Sequence, residues 1–171
     1  MSRKVAYSAM LVALAMIFSY VEVLIPVNFG IPGIKLGLAN MVVVVGLYFL
    51  NPAEVLLISV TRILLVGFLF GNGMSIIYSL AGGLLSFAVM MLLKKAKGFS
   101  IVGVSIAGGV SHNTGQILAA VCVVENTKLF YYFPALLVAG VITGTLIGIV
   151  SGRVLPVVQR EGREMTKEQK V

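Results

Sequence analysis

The chain has 171 residues, enough for about one domain, and 59% of them are hydrophobic while only 11% are charged; mean hydropathy is +1.06. A soluble fold of this size would lack the polar residues to cover its surface, and the long unbroken apolar runs exclude intrinsic disorder, a coiled coil and a porin-like barrel. Thirteen Lys and Arg against six acids give a net charge of +7, but the bases sit between and after the apolar runs, which points to membrane orientation rather than to nucleic acid.

A single cysteine, Cys122, excludes an intrachain disulfide, and with His112 as the one histidine no dense His/Cys metal cluster can form. Neither a metal nor a cofactor is expected. What remains is an all-α integral membrane protein, a compact bundle of six transmembrane helices.

The first apolar run, 5–25, follows Ser2-Arg3-Lys4 and ends at Pro26. It is too long for a signal-peptide core and no small-x-small cleavage site follows, so it reads as a retained helix. Ala9 and Ala13, four apart near its start, fit either internal packing or a docking face for another membrane protein. The bend after it carries two prolines and two glycines before Leu36, then Lys35 and Asn40 at the start of the second run. Lys35 suits either an anionic group or snorkelling at the interface.

The second run, 36–50, is the shortest and reads as a span, a tilted half-span or a re-entrant piece. The third, 53–70, follows Asn51-Pro52 and holds Arg62 about ten residues in. An Arg at that depth costs about 2.5–3.5 kcal/mol on insertion scales and faces the bundle interior. It serves either an anionic ligand or a structural pair with Glu22.

Gly71-Asn72-Gly73 opens the fourth run, 74–93. Asn72 and Ser75 suit an anion at a helix N-terminus or simple capping. Tyr78 lies below them, and Gly82-Gly83 permits close helix contact.

The fifth run, Ile101–Val124, carries Ser111-His112-Asn113-Thr114-Gly115-Gln116 at its middle. His112 and Gln116 share a helix face and Asn113 is adjacent to it. Such groups are costly in a membrane helix unless partnered, so the turn is either a polar ligand-binding face or interhelical hydrogen bonding.

The sixth run spans 130–155 and ends at Pro156; Gly140, Gly144, Gly148 and Gly152 recur every four residues, a packing stripe. The expected organisation is a transmembrane domain over 1–158 and a polar cytoplasmic tail over 159–171.

With the N-terminus inside and six spans, the inner side holds Arg3, Lys4, Lys94, Lys95, Lys97, Arg153, Arg160, Arg163, Lys167 and Lys170, the outer side Lys35 and Lys128. This asymmetry predicts both termini in the cytoplasm. No Walker A sequence is present, so any pumping draws energy from a partner or an ion gradient.

Lys35-Leu36-Gly37-Leu38-Ala39-Asn40, Arg62, Gly71-Asn72, the stretch from Tyr78 to Ser86 and the fifth-run polar turn together resemble the Gx transporter family, also called heptaprenyl diphosphate synthase component I, over about residues 5–155. That family is similar to the substrate-binding S components of energy-coupling factor (ECF) transporters: six-helix bundles that capture a vitamin or related nutrient outside and dock on a transmembrane T subunit with two ATPases. The resemblance implies a docking face at Ala9 and Ala13 and a gating loop over residues 27–35. Prenyl elongation uses Asp-rich motifs to hold Mg²⁺, and this chain has no Asp, so a non-enzymatic role is expected. Family context also implies an alternative, a membrane subunit of quinone- or flavin-dependent electron transfer to the cell exterior; a further one is a non-catalytic partner of a prenyl diphosphate synthase.

The leading expectation is an S-component-like subunit in the bacterial cytoplasmic membrane. It would bind a small anionic solute, an isoprenoid-pathway precursor or a vitamin-like compound, through Lys35, Asn40, Arg62, Asn72, Tyr78, His112, Asn113 and Gln116.

Overall fold

The computed structural model describes residues 2–24, 38–96 and 98–168. Six α-helices account for nearly all of them, and the described residues contain no strand. They are α1 (Ser2–Leu24), α2 (Asn40–Phe49), α3 (Pro52–Phe70), α4 (Gly73–Lys95), α5 (Ile101–Val124) and α6 (Phe133–Glu168), with a short 3-10 helix at Thr127–Tyr132.

The helix ends follow local chemistry. Asn51 and Glu54 form a capping box on α3 with Pro52 in the first turn. The Asn72 side chain accepts from the Ser75 backbone N–H at 2.8 Å at the start of α4. Ser100 Oγ accepts from the Gly103 N–H at 3.1 Å at the start of α5. Glu125 ends α5 in the left-handed region, at φ 51°.

α3, α4 and the segment Thr127–Arg160 are long and apolar enough to cross a membrane. α5 has 24 residues, also a membrane-spanning length, but its central polar turn dilutes its apolar character. Large apolar side chains such as Leu57, Phe68, Leu92 and Leu146 point outward, the inverse of a soluble surface and the normal lipid-facing side of a membrane helix. Each of α3 to α6 nevertheless buries one stripe; on α3 it runs Val55, Ile58-Ser59, Arg62-Ile63 and Val66-Gly67, the 3.6-residue period.

α2 differs from the others. Its ten residues extend only about 15 Å, half of a bilayer core. The run 36–50 therefore yields a helix that starts at Asn40, after a turn in which Met41 and Val42 N–H groups bond to Leu38 and Ala39 carbonyls. Val42 to Leu47 are all buried, and α2 touches every other helix. A helix apolar on all sides and short of a full span sits in protein rather than in lipid. The wall around it runs α1–α3–α4–α5–α6 by contact. Lys94, from the C-terminal end of α4, donates to the Leu47 carbonyl and lies over the Tyr48 ring, satisfying the C-terminal end of α2.

α6 also departs from the sequence expectation. It does not stop at Pro156 but runs on to Glu168, 36 residues in all. The boundary placed between 158 and 159 thus falls inside a continuous helix. The carbonyl that loses its donor to Pro156 belongs to Gly152, so the proline removes one hydrogen bond from the middle of α6 without ending it.

Backbone-to-backbone packing joins α4, α5 and α6. An ideal Cβ on Gly82 would lie 2.6 Å from the His112 carbonyl oxygen, and one on Gly115 2.7 Å from the Ala81 oxygen. On the other side of α5, a Cβ on Gly109 would lie 2.4 Å from the Gly140 oxygen, one on Gly144 2.7 Å from Ile106 Cα, and one on Gly148 2.7 Å from Val102 Cα. Gly152 meets nothing within 4 Å. Ser86 Oγ donates to the Gly108 carbonyl at 2.8 Å and Ser105 Oγ to the Gly144 carbonyl at 2.7 Å, adding a hydrogen bond across each contact.

Candidate functional site

Arg62 lies on the buried stripe of α3 and faces α1. Its Nη1 donates to Ser19 Oγ at 3.3 Å, and the carboxylate of Glu22, one turn further along α1, interacts with it electrostatically. Arg62 is 6% exposed and Glu22 7%. A membrane-depth charge of each sign, both withdrawn from lipid, is the arrangement that makes their burial tolerable. Arg62 Nε has no hydrogen-bond partner among the described residues.

These groups line a cavity of ≈ 20 Å³ bounded by Ser19, Glu22, Arg62, Ile63, Val66, Ser79 and His112. Four helices contribute: α1, α3, α4 and α5. Room of this size suits about one water molecule, against several hundred Å³ for a typical ligand pocket. A solute would have to widen it. The α1 wall is the least tied, since α1 packs on α3 and α2 and not on α4 or α5 among the described residues.

The polar turn of α5 is buried except at Thr114, which is half-buried. Its hydroxyls are satisfied within the helix: Ser111 Oγ donates to the Ala107 carbonyl at 2.6 Å and Thr114 Oγ1 to the Val110 carbonyl at 2.8 Å. Asn113 Nδ2 donates across to the Leu136 carbonyl of α6 at 2.7 Å. Asn113 Oδ1 and both polar atoms of the Gln116 amide have no partner among the described residues, although the two residues are 1% and 0% exposed.

Gly82 brings α4 close to this face. The position of its missing Cβ lies 2.8 Å from Gln116 Cγ and 3.2 Å from His112 Cε1. His112 and Gln116 thus both face α4, one helical turn apart, with His112 at the Arg62 cavity.

The remaining singled-out residues lie elsewhere. Asn40, 5% exposed with its Nδ2 unpartnered among the described residues, starts α2. Tyr78 is packed in an apolar cluster with Ile117, Ala120 and Leu136. Asn72 is exposed and its side chain is engaged in the α4 cap. Lys35 lies outside the described residues, as does the whole of the loop 27–35.

Ala9 and Ala13 are exposed, on the outward face of α1 with Met10, Leu14 and Ile17. Two cavity residues gave no sequence signal of their own: Ser19 and Ser79 are single hydroxyls in apolar stretches. Ser19 was reachable only from its place three residues before Glu22, on the same helical face.

A family model described as heptaprenyl diphosphate synthase component I matches residues 11–154, most of the chain. No curated protein and no solved structure matches it.

Proposed function

The chain belongs to the heptaprenyl diphosphate synthase component I family, and from that membership together with its buried polar centre we propose that it is a substrate-binding membrane subunit of the S-component kind. It captures a small anionic solute, an isoprenoid-pathway precursor or vitamin-like compound, from outside the cell. The observation that carries this reading is Arg62: a buried guanidinium midway along α3, one nitrogen of it unpartnered among the described residues, in a cavity walled by four helices and lined by Ser19, Ser79 and His112. Glu22 balances its charge while the site is closed, and an incoming anion would compete for the planar fork.

The subunit does no chemistry of its own. A T subunit and two ATPases would supply the energy, and the exposed Ala9–Ala13 face of α1 is where close helix approach to a T subunit is possible. Both termini lie in the cytoplasm, from the distribution of basic residues.

The family name itself favours a second reading, a non-catalytic membrane partner of a prenyl diphosphate synthase. The absence of Asp from the chain leaves no Asp-rich Mg²⁺–diphosphate site for it to contribute.

The test is to purify the wild type and Arg62→Gln in mild detergent and identify retained small molecules by mass spectrometry. A single anionic compound kept by the wild type and lost from Arg62→Gln is the expected result. Equal retention in both, or a neutral compound only, overturns the assignment of Arg62. Retention of a soluble prenyl synthase subunit without any small molecule favours the second reading.

A further inference from the structure

The Arg62 cavity accounts for one end of a ligand; the unpaired amide one turn away on α5 accounts for another. Gln116 is 0% exposed, and neither its Nε2 nor its Oε1 has a partner among the described residues. Natural structures leave few buried polar atoms unpaired, and a side chain with both its donor and its acceptor orphaned is rarer still. Its surroundings offer no remedy. The next residue, Ile117, belongs to an apolar cluster with Tyr78 and Leu136, which offers the amide no side-chain partner.

Asn113, three residues earlier, is pinned through Nδ2 to the Leu136 carbonyl, which fixes its unpaired Oδ1 as an acceptor. The side chains of 112, 116 and 113 follow one another around the core-facing side of α5, Gln116 between the other two. His112 lines the Arg62 cavity, so the Gln116 amide lies about one helical turn, roughly 6 Å, along α5 from it.

We infer that Gln116, with Asn113 beside it, reads an uncharged amide-type edge, a –CO–NH– group of a lactam or imide, on the same ligand whose anionic group meets Arg62. A carboxamide presents one donor and one acceptor side by side, the complement of that edge. The inference rests on the anion-binding reading of Arg62. It narrows the ligand to small cyclic amides bearing a carboxylate or phosphate, and it disfavours a purely hydrocarbon-chain anion, which would leave the Gln116 amide unpaired.

The experiment uses the full chain in detergent with two defined probes. Orotate carries a carboxylate and an imide edge on one ring; benzoate carries the carboxylate alone. Affinity for each is measured by calorimetric titration on the wild type and on Gln116→Leu. The wild type should bind orotate about tenfold more tightly than benzoate, the gain of two modest hydrogen bonds, and Gln116→Leu should bind the two equally. Gln116→Met, unbranched, replaces Gln116→Leu if that variant does not fold.

Equal affinity for both probes in the wild type overturns the amide-edge inference and leaves the anion reading standing, as does a preference for orotate that survives loss of Gln116. Failure of both probes to bind the wild type overturns the anion reading and the inference together.

Discussion

Gly144 and Gly152 stand on one helix, eight residues apart in one repeat, yet they should respond to alanine with opposite signs. An ideal Cβ on Gly144 would lie 2.7 Å from Ile106 Cα and 2.8 Å from the Ser105 oxygen, both backbone atoms, where 3.4–4 Å is ordinary contact. Gly144→Ala must therefore push α5 and α6 apart by several tenths of an ångström. Overpacking of this kind costs about 1–3 kcal/mol. The same displacement stretches the 2.7 Å bond from Ser105 Oγ to the Gly144 carbonyl, worth about 1 kcal/mol. Alanine's better helix propensity returns about 1 kcal/mol, leaving a net loss of about 1–3 kcal/mol. Gly152→Ala meets nothing within 4 Å and keeps only the propensity gain, so it should be neutral or stabilising by up to about 1 kcal/mol. Thermal melting of the purified variants in one detergent, followed by loss of helicity, gives the comparison. Equal melting temperatures for the two variants, or a lower one for Gly152→Ala, would refute the backbone-contact account of the α5–α6 interface.

Ala9→Trp or Ala13→Trp should leave melting unchanged, because both side chains are exposed, and should abolish co-purification of a T subunit; unimpaired co-purification removes α1 as the docking face. A reporter fused after Val171 should be active only in a cytoplasmic format, and activity on the outer side would overturn the inferred orientation.

Much of the helix layout was legible because polar punctuation is expensive inside a bilayer and therefore rare. Asn51-Pro52 and Gly71-Asn72-Gly73 marked real ends to within a residue or two. Arg62 and the α5 polar turn stood out for the same reason, and the structure buries all of them except the half-buried Thr114. Ser19 and Ser79 were invisible because a lone serine in a membrane helix normally bonds to its own backbone. The central placement of α2 was also hidden: an all-apolar run reads the same whether lipid or protein surrounds it, and only its ten-residue length separates the two. Pro156 misled because a proline inside a helix removes one hydrogen bond, which a long, otherwise well-packed helix tolerates without ending.

The central position of α2 bears on the order in which the molecule is made. A helix of half-membrane length has little tendency to leave the translocation channel for lipid by itself, and the walls that enclose it emerge from the ribosome later. α3 follows at once, but α6, which also packs on α2, begins only at Phe133. Among the helix pairs in contact, α2 and α6 are the most widely separated along the chain, so their contact closes last and carries the largest loop-closure penalty. Until then Val42–Leu47 face an unfinished interior. A nascent chain ending after α5 would hold a membrane protein with its core open on one side, the state that membrane chaperones and proteases recognise.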